Sequence, residues 1–190
     1  MAAETLFRGT GAIIFIPTAG LNRSVNYILM KYTCAGVLFT NGTHVLGGYQ
    51  PKKESPCISG IGGKRELRDT SCIYTALREF LEEIFSIEPS PSYIELIQEH
   101  VTPLRIVELG GYINCVYSFT DLETILRLLS EKGLPSPLYD TFPTSLNDLV
   151  FSRKGTDDQE ITHLAILPRI ASHGDGPFVG REFVKDMKYV

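Results

Sequence analysis

Apolar residues recur at two different spacings along the chain, and the change of spacing predicts where strands give way to helices. Residues 11–17, GAIIFIP, form a continuous apolar run and predict a buried strand; residues 25–30 predict a second. The PTAGLNRS between them is turn-rich. Residues 34–50, CAGVLFTNGTHVLGGYQ, place Asn41-Gly42 between two apolar runs, the pattern of a two-residue hairpin. A polar loop over 51–57 follows, then a short strand over 58–61 entering the double glycine Gly62-Gly63. The period then lengthens. Ile73, Leu77, Phe80, Leu81 and Ile84 recur at helical spacing behind the capping oxygens of Asp69, Thr70 and Ser71, and Pro89 and Pro91 stop the helix. Residues 93–107 predict an extended segment broken at Pro103, and 112–119 a strand. Residues 121–132 predict an amphipathic helix closed by Gly133. Residues 134–160 predict a long irregular segment with a short helix around Leu146; 161–167 turn apolar again. The tail predicts a loop over 172–177 and then a weakly structured or edge segment. No repeat or linker divides the pattern. The expectation is one domain over 1–190, with an N-terminal strand extension over about 1–33, folded as a mixed sheet with helices packed on it.

Composition narrows the function classes. At 43% hydrophobic and 21% charged residues, the chain can bury a core and is not expected to be disordered. A net charge of -4 provides no global basic field for nucleic acid. A local one remains, because Lys52, Lys53, Lys64, Arg65 and Arg68 fall close together. The cysteines at 34, 57, 72 and 115 form no CxxC pair, so structural zinc is not expected. No secretory leader is evident and no apolar run reaches the length of a membrane span. A reducing, cytoplasmic setting is the expectation.

The densest acidic cluster is REFLEE, Arg78 to Glu83. On a helical wheel Glu79, Glu82 and Glu83 share the side away from the apolar stripe, with Arg78 able to reach Glu82 at i,i+4. Three like charges so close repel unless a cation sits between them. Magnesium and manganese suit such a set, since both prefer oxygen ligands and often join carboxylates to substrate phosphates. Gly62 and Gly63 would let the backbone approach and add a carbonyl ligand. The competing reading of REFLEE alone is a solvated helix face.

The stretch from Gly62 to Ile87, GGKRELRDTSCIYTALREFLEEIFSI, resembles the signature of the Nudix hydrolases, G-x5-E-x7-R-E-U-x-E-E-x-G-U with U apolar. Gly63 stands for the first glycine, and Arg78, Glu79, Phe80, Glu82 and Glu83 match the core. AGVLFTNGTHVLGG is similar to the hairpin that precedes the signature in that family. The chain departs from it at three points. Asp69 replaces the first glutamate; one extra residue precedes Arg78; and Phe85 stands at the second glycine or, with the extra residue allowed for, Ser86 does, followed by Ile87. The resemblance implies an α/β/α sandwich around a mixed β-sheet, with magnesium or manganese as cofactor. It implies metal ligands at Glu79, Glu82, Glu83 and the Gly62 carbonyl, a further acid at Glu160 (alternatives Asp157, Asp158 and Glu99), and Arg78 orienting Glu79 or Asp69. Glu82 or Glu83 would act on water.

The family generally hydrolyses a pyrophosphate bond in a nucleoside diphosphate linked to another group. A nucleotide-containing small molecule is the expected partner, with capped RNA also possible and no membrane. Lys52, Lys53, Lys64 and Arg65 are candidate phosphate contacts, and Tyr49, Phe7, Tyr27 or Tyr112 candidate stacking surfaces for a base. His100 reads as a surface or hydrogen-bonded structural residue, with a role as base or substrate contact as the alternative; Cys72 reads as structural, and so does His163, with a place facing the site as its alternative. The material before Cys34 could form a pocket or a homodimer contact. The alternatives are cap removal by the same chemistry and a noncatalytic nucleotide-sensing or scaffold domain.

Overall fold

In the computed structural model, which describes residues 5–9, 12–15, 31–169 and 178–190, the hairpin at Asn41-Gly42 opens into a fork. The strands are β1 Thr5–Gly9, β2 Ala12–Phe15, β3 Cys34–Thr40, β4 His44–Gln50, β5 Cys57–Ser59, β6 Ile61–Lys64, β7 Arg105–Leu109, β8 Tyr112–Ser118 and β9 His163–Pro168. The helices are α1 Cys72–Phe85, α2 Pro91–His100, α3 Phe119–Glu131, α4 Leu146–Phe151 and α5 Arg181–Asp186, the last running into a 3-10 turn over Met187–Tyr189. Beside the turn β3 pairs with β4 at Thr40–Val45. Farther from it, β3 pairs instead with β6, and β4 with β5. The chain therefore crosses from one arm of the fork to the other at Gly60.

The remaining strands extend the two arms. β3 runs parallel to β8, from Cys34–Tyr112 to Thr40–Ser118, and β7, β2 and β1 follow antiparallel. β9 pairs antiparallel with β4. Alternation along β3 and β8 sends side chains to two cores. Val37, Phe39, Cys115 and Tyr117 join the apolar faces of α1, α2, α3 and α4. Leu38 and Val116 face the other way, onto Phe183, Met187 and Val190. The result is a mixed β-sheet flanked by helices. Among the described residues, no helix is long and apolar enough to cross a membrane.

Several expectations need correction. Residues 91–100 are helical rather than extended. Pro91 occupies the first turn of α2, where its missing N–H costs nothing, and Ile94 and Ile97 are buried one turn apart. Pro91 thus opens a helix instead of only ending one. The tail is also a helix, since Phe183, Met187 and Val190 at i, i+4 and i+7 are all buried; its edge character survives in the single bridge Val179–Ile58. The double glycine lies within β6 rather than after a strand. Phe119 belongs to α3, which starts at a capping box between Ser118 and Asp121. The predicted strand over 25–30 and the loop over 172–177 lie outside the described residues.

Candidate functional site

α1 starts where Ser71 Oγ accepts the N–H of Tyr74 at 3.1 Å. Its apolar stripe is buried as the spacing predicts, Ile73 only partly, but its polar side is not the solvated face that the wheel suggests. Thr75 is 0% exposed, Arg78 2% and Glu83 9%, because β6 and the loop over 65–69 cover them. Arg78 is the hub of this layer. Its Nε and Nη2 each donate to Asp69 at 3.1 Å, Nη2 also donates to Glu79 at 2.8 Å and to the Lys64 carbonyl at 2.7 Å, and Nη1 donates to Glu82 at 2.7 Å. Arg78 thus orients both Asp69 and Glu79, and it holds two of the three helix acids.

Asp69 works as a loop anchor. It accepts the Glu66 N–H at 2.8 Å and the Thr75 hydroxyl at 2.9 Å, besides Arg78. Burial pushes its carboxyl up, yet Arg78, the Glu66 N–H and Thr75 outweigh burial and hold it below the usual range. The extra residue before Arg78 does not prevent this pairing. At the far end of α1 the left-handed turn falls on Ser86, at φ 54 and ψ 46, while Phe85 is fully buried. Ser86 therefore occupies a conformation that favours glycine.

Glu83 points toward the fork. Its Oε2 accepts the N–H of Gly62 at 2.9 Å. Burial raises its carboxyl well above the usual range, and the neighbouring charge of Glu160, then of Glu79, adds to the rise against Gly62 and Lys53. Burial also raises Glu79 and Glu82, against Arg78 in both cases. Glu160 comes from the segment before β9, and Gln50 Nε2 donates to it at 3.3 Å. The other amide atom, Gln50 Oε1, is buried with no hydrogen-bond partner. The fork thus gathers acceptors faster than donors.

Two glycines allow this convergence. A Cβ on Gly62, at φ 155, would strike the Gly36 backbone and the Tyr112 hydroxyl. A Cβ on Gly63 would sit 2.5 Å from the Glu79 carboxyl. Gly62 and Glu160 also line a cleft of about 680 Å³, together with Gln50, Lys53, Tyr112 and Asp186. Lys185 on α5 and Lys188 on the 3-10 turn after it also line the cleft. Burial pushes Asp186 up to about 6, with Asn114 pulling the other way.

Among the described residues, no three His, Cys, Asp or Glu side chains are closed around one point as a metal cluster. The chemistry of the donor set nevertheless fits a hard dication. Glu79 and Glu83 each feel the negative charge of the other acid or of Glu160, and the Gln50 amide whose oxygen lacks a partner bonds to Glu160.

Of the candidate substrate contacts, Lys53 lines the cleft and donates to Ser59 Oγ at 3.0 Å. Lys52, Lys64, Arg65 and Tyr49 lie outside its lining. Lys52 is exposed, Lys64 ends β6, Arg65 stacks 4.9 Å over the Tyr32 ring, and Tyr49 packs near the His163 ring. Tyr112 lines the cleft, and burial raises its hydroxyl. His163 is exposed on β9, and His100 is exposed at the end of α2, bonded to the Leu96 carbonyl at 2.9 Å. Cys72 is buried in the core, whereas Glu99, Asp157 and Asp158 are exposed, as is Glu160 itself. The side chains of Phe7 and Tyr27 lie outside the described residues. Gln50 and Asp186 escaped the sequence reading. A lone glutamine at a strand end carries no signal, whereas the spacing of Phe183, Met187 and Val190 was available to reveal the helix that carries Asp186.

Compared with known proteins, the chain matches no family model and no curated sequence.

Proposed function

We propose that the chain is a Nudix-type pyrophosphohydrolase, an α/β/α sandwich that cleaves the pyrophosphate bond of a nucleoside diphosphate linked to another group. The observation that carries this reading is Glu83. It is a buried carboxyl on the N–H of Gly62, crowded by Glu160 and Glu79; Gly62 and Glu160 line the cleft of about 680 Å³, while Glu79, Glu82 and Glu83 lie behind its lining. A magnesium or manganese ion held by Glu79, Glu83 and Glu160, with Glu82 and the Gly62 carbonyl as further oxygens, would neutralise phosphoryl charge and lower the pKa of bound water. Glu83, or Glu82 beside it, would take the proton of the attacking water. Arg78 contributes by orientation, fixing Glu79 and Glu82 from behind. Lys53 and Lys188 would meet the substrate phosphates in a cleft that Glu160, Glu182 and Asp186 also line, Lys185 being paired with Glu182 at 2.7 Å.

The test is product release from a panel of nucleoside diphosphate conjugates and capped RNA, with magnesium or manganese, beside Glu83→Gln protein. Identified products from one substrate, absent with the variant, are expected. Folded wild-type protein that binds manganese but turns over nothing across the panel would favour a nucleotide-sensing domain instead.

A further inference from the structure

Glu83 and Glu160 arrive from separate elements, α1 and the segment before β9, and their like charges push them apart. Something other than the carboxylates must set their spacing. Arg153, just beyond α4, bonds to both backbones. Its Nη2 donates to the Glu83 carbonyl at 3.0 Å and to the Ile161 carbonyl at 2.8 Å, and its Nη1 donates to the Ile84 carbonyl. One planar group thereby joins the residue that carries the central carboxyl to the residue next to Glu160.

The local chemistry favours a cation here. The last carbonyls of a helix lack partners within it, and the end of the helix dipole is negative. α1 has no basic residue in its last turn. Arg153 supplies that charge from a distant part of the chain, and the guanidinium fork allows two acceptors on different segments to be held at once. A lysine ammonium has the charge but not the rigid fork.

We propose that Arg153 is a positioning residue. It ties the α1 backbone at Glu83 to the backbone at Ile161, and so fixes the distance between the Glu83 and Glu160 carboxylates. The inference rests on the reading of those carboxylates as one site, and neither the signature nor the cleft lining includes Arg153.

A plain helix cap is the competing role, and Ser136 supplies the comparison. Its Oγ donates to the Phe85 carbonyl at 2.8 Å, at the same helix end, without touching the Glu160 segment. Three full-length proteins, wild type, Arg153→Lys and Ser136→Ala, are compared by thermal unfolding, by Mn²⁺ binding without substrate, and by hydrogen exchange at the Gly62 amide. Arg153→Gln serves if the lysine variant does not fold. The expected result is Mn²⁺ affinity weakened about 10-fold or more by Arg153→Lys, as for loss of a group that orients ligands, and unchanged by Ser136→Ala. In a Glu160→Gln background, Arg153→Lys should change affinity less than about twofold, because the distance it sets no longer matters. Affinity that falls in both single variants in proportion to lost stability, or an undiminished Arg153→Lys effect without Glu160, overturns the proposal.

If the wild type binds no Mn²⁺, the metal reading fails, and the clamp is judged on Gly62. That amide is held by the Glu83 carboxylate, so displaced Glu83 should speed its exchange in Arg153→Lys but not in Ser136→Ala. Equal exchange in both variants overturns the clamp as well.

Discussion

Replacing Arg78 with methionine tests the reading of the helix's buried polar layer. Methionine keeps much of the aliphatic volume but removes every donor. The loss strands Asp69, whose side chain is 0% exposed, and leaves Glu79 and Glu82 without their shared cation. Breaking a buried pair from one side costs about 3–5 kcal/mol, because the remaining charge stays desolvated. For a chain of this size that corresponds to a fall in Tm of roughly 6–20 °C, at about 2–4 °C per kcal/mol. Urea unfolding at neutral pH and calorimetry measure it directly. Asp69→Asn and the double variant complete a cycle. The double variant should lose less than the sum of the single losses, by about 1–3 kcal/mol, since the two groups share one network. The pH dependence has a fixed sign. Asp69 is held below its ordinary value of 3.8, so its contribution is full above that pH and is lost as pH falls through its native value. Arg78→Met should shrink this acid limb. A loss below about 1 kcal/mol, typical of exposed ion pairs, with an unchanged acid limb would refute the argument.

Three further outcomes follow from the site. Ser86→Gly relieves a left-handed residue that costs about 1–2 kcal/mol, less the greater chain entropy of glycine, so Tm should rise by a few degrees at most; a fall would show that the Ser86 side chain does something else. Asp186→Asn removes a carboxyl raised from 3.8 to about 6, whose stabilising effect is full below 3.8 and lost as pH rises through 6. The variant should therefore narrow the difference in stability between pH 4 and pH 7 by up to about 3 kcal/mol, read by urea titration at both. Gly63→Ala puts a methyl against the Glu79 carboxyl and should weaken Mn²⁺ binding by about 10-fold or more, measured by calorimetric titration; unchanged affinity would remove Glu79 from the metal site.

The sequence by itself determined the elements whose signals are local. The Asn41-Gly42 turn, the stripe from Ile73 to Ile84, and the run from Tyr112 to Ser118 each carry their period or turn chemistry within a few residues. Arg78 and the three glutamates were equally legible, because their spacing on one helix limits where they can stand. The misreadings arose where one residue type serves two purposes. Pro91 reads as a stop for α1 but starts α2, and only the burial of Ile94 and Ile97 against the α1 layer decides between them.

What only the tertiary structure decided is which atoms meet across the fork. Separation of β3 from β4 lets β6 bring the Gly62 N–H to Glu83, while β4 and β9 bring Gln50 and Glu160 to the same place. No local pattern marks Gln50 or Arg153, since each acts on groups far along the chain. Burial likewise turned a nominally exposed helix face into a covered polar layer. A wheel records direction around one axis, whereas desolvation depends on what packs against that axis.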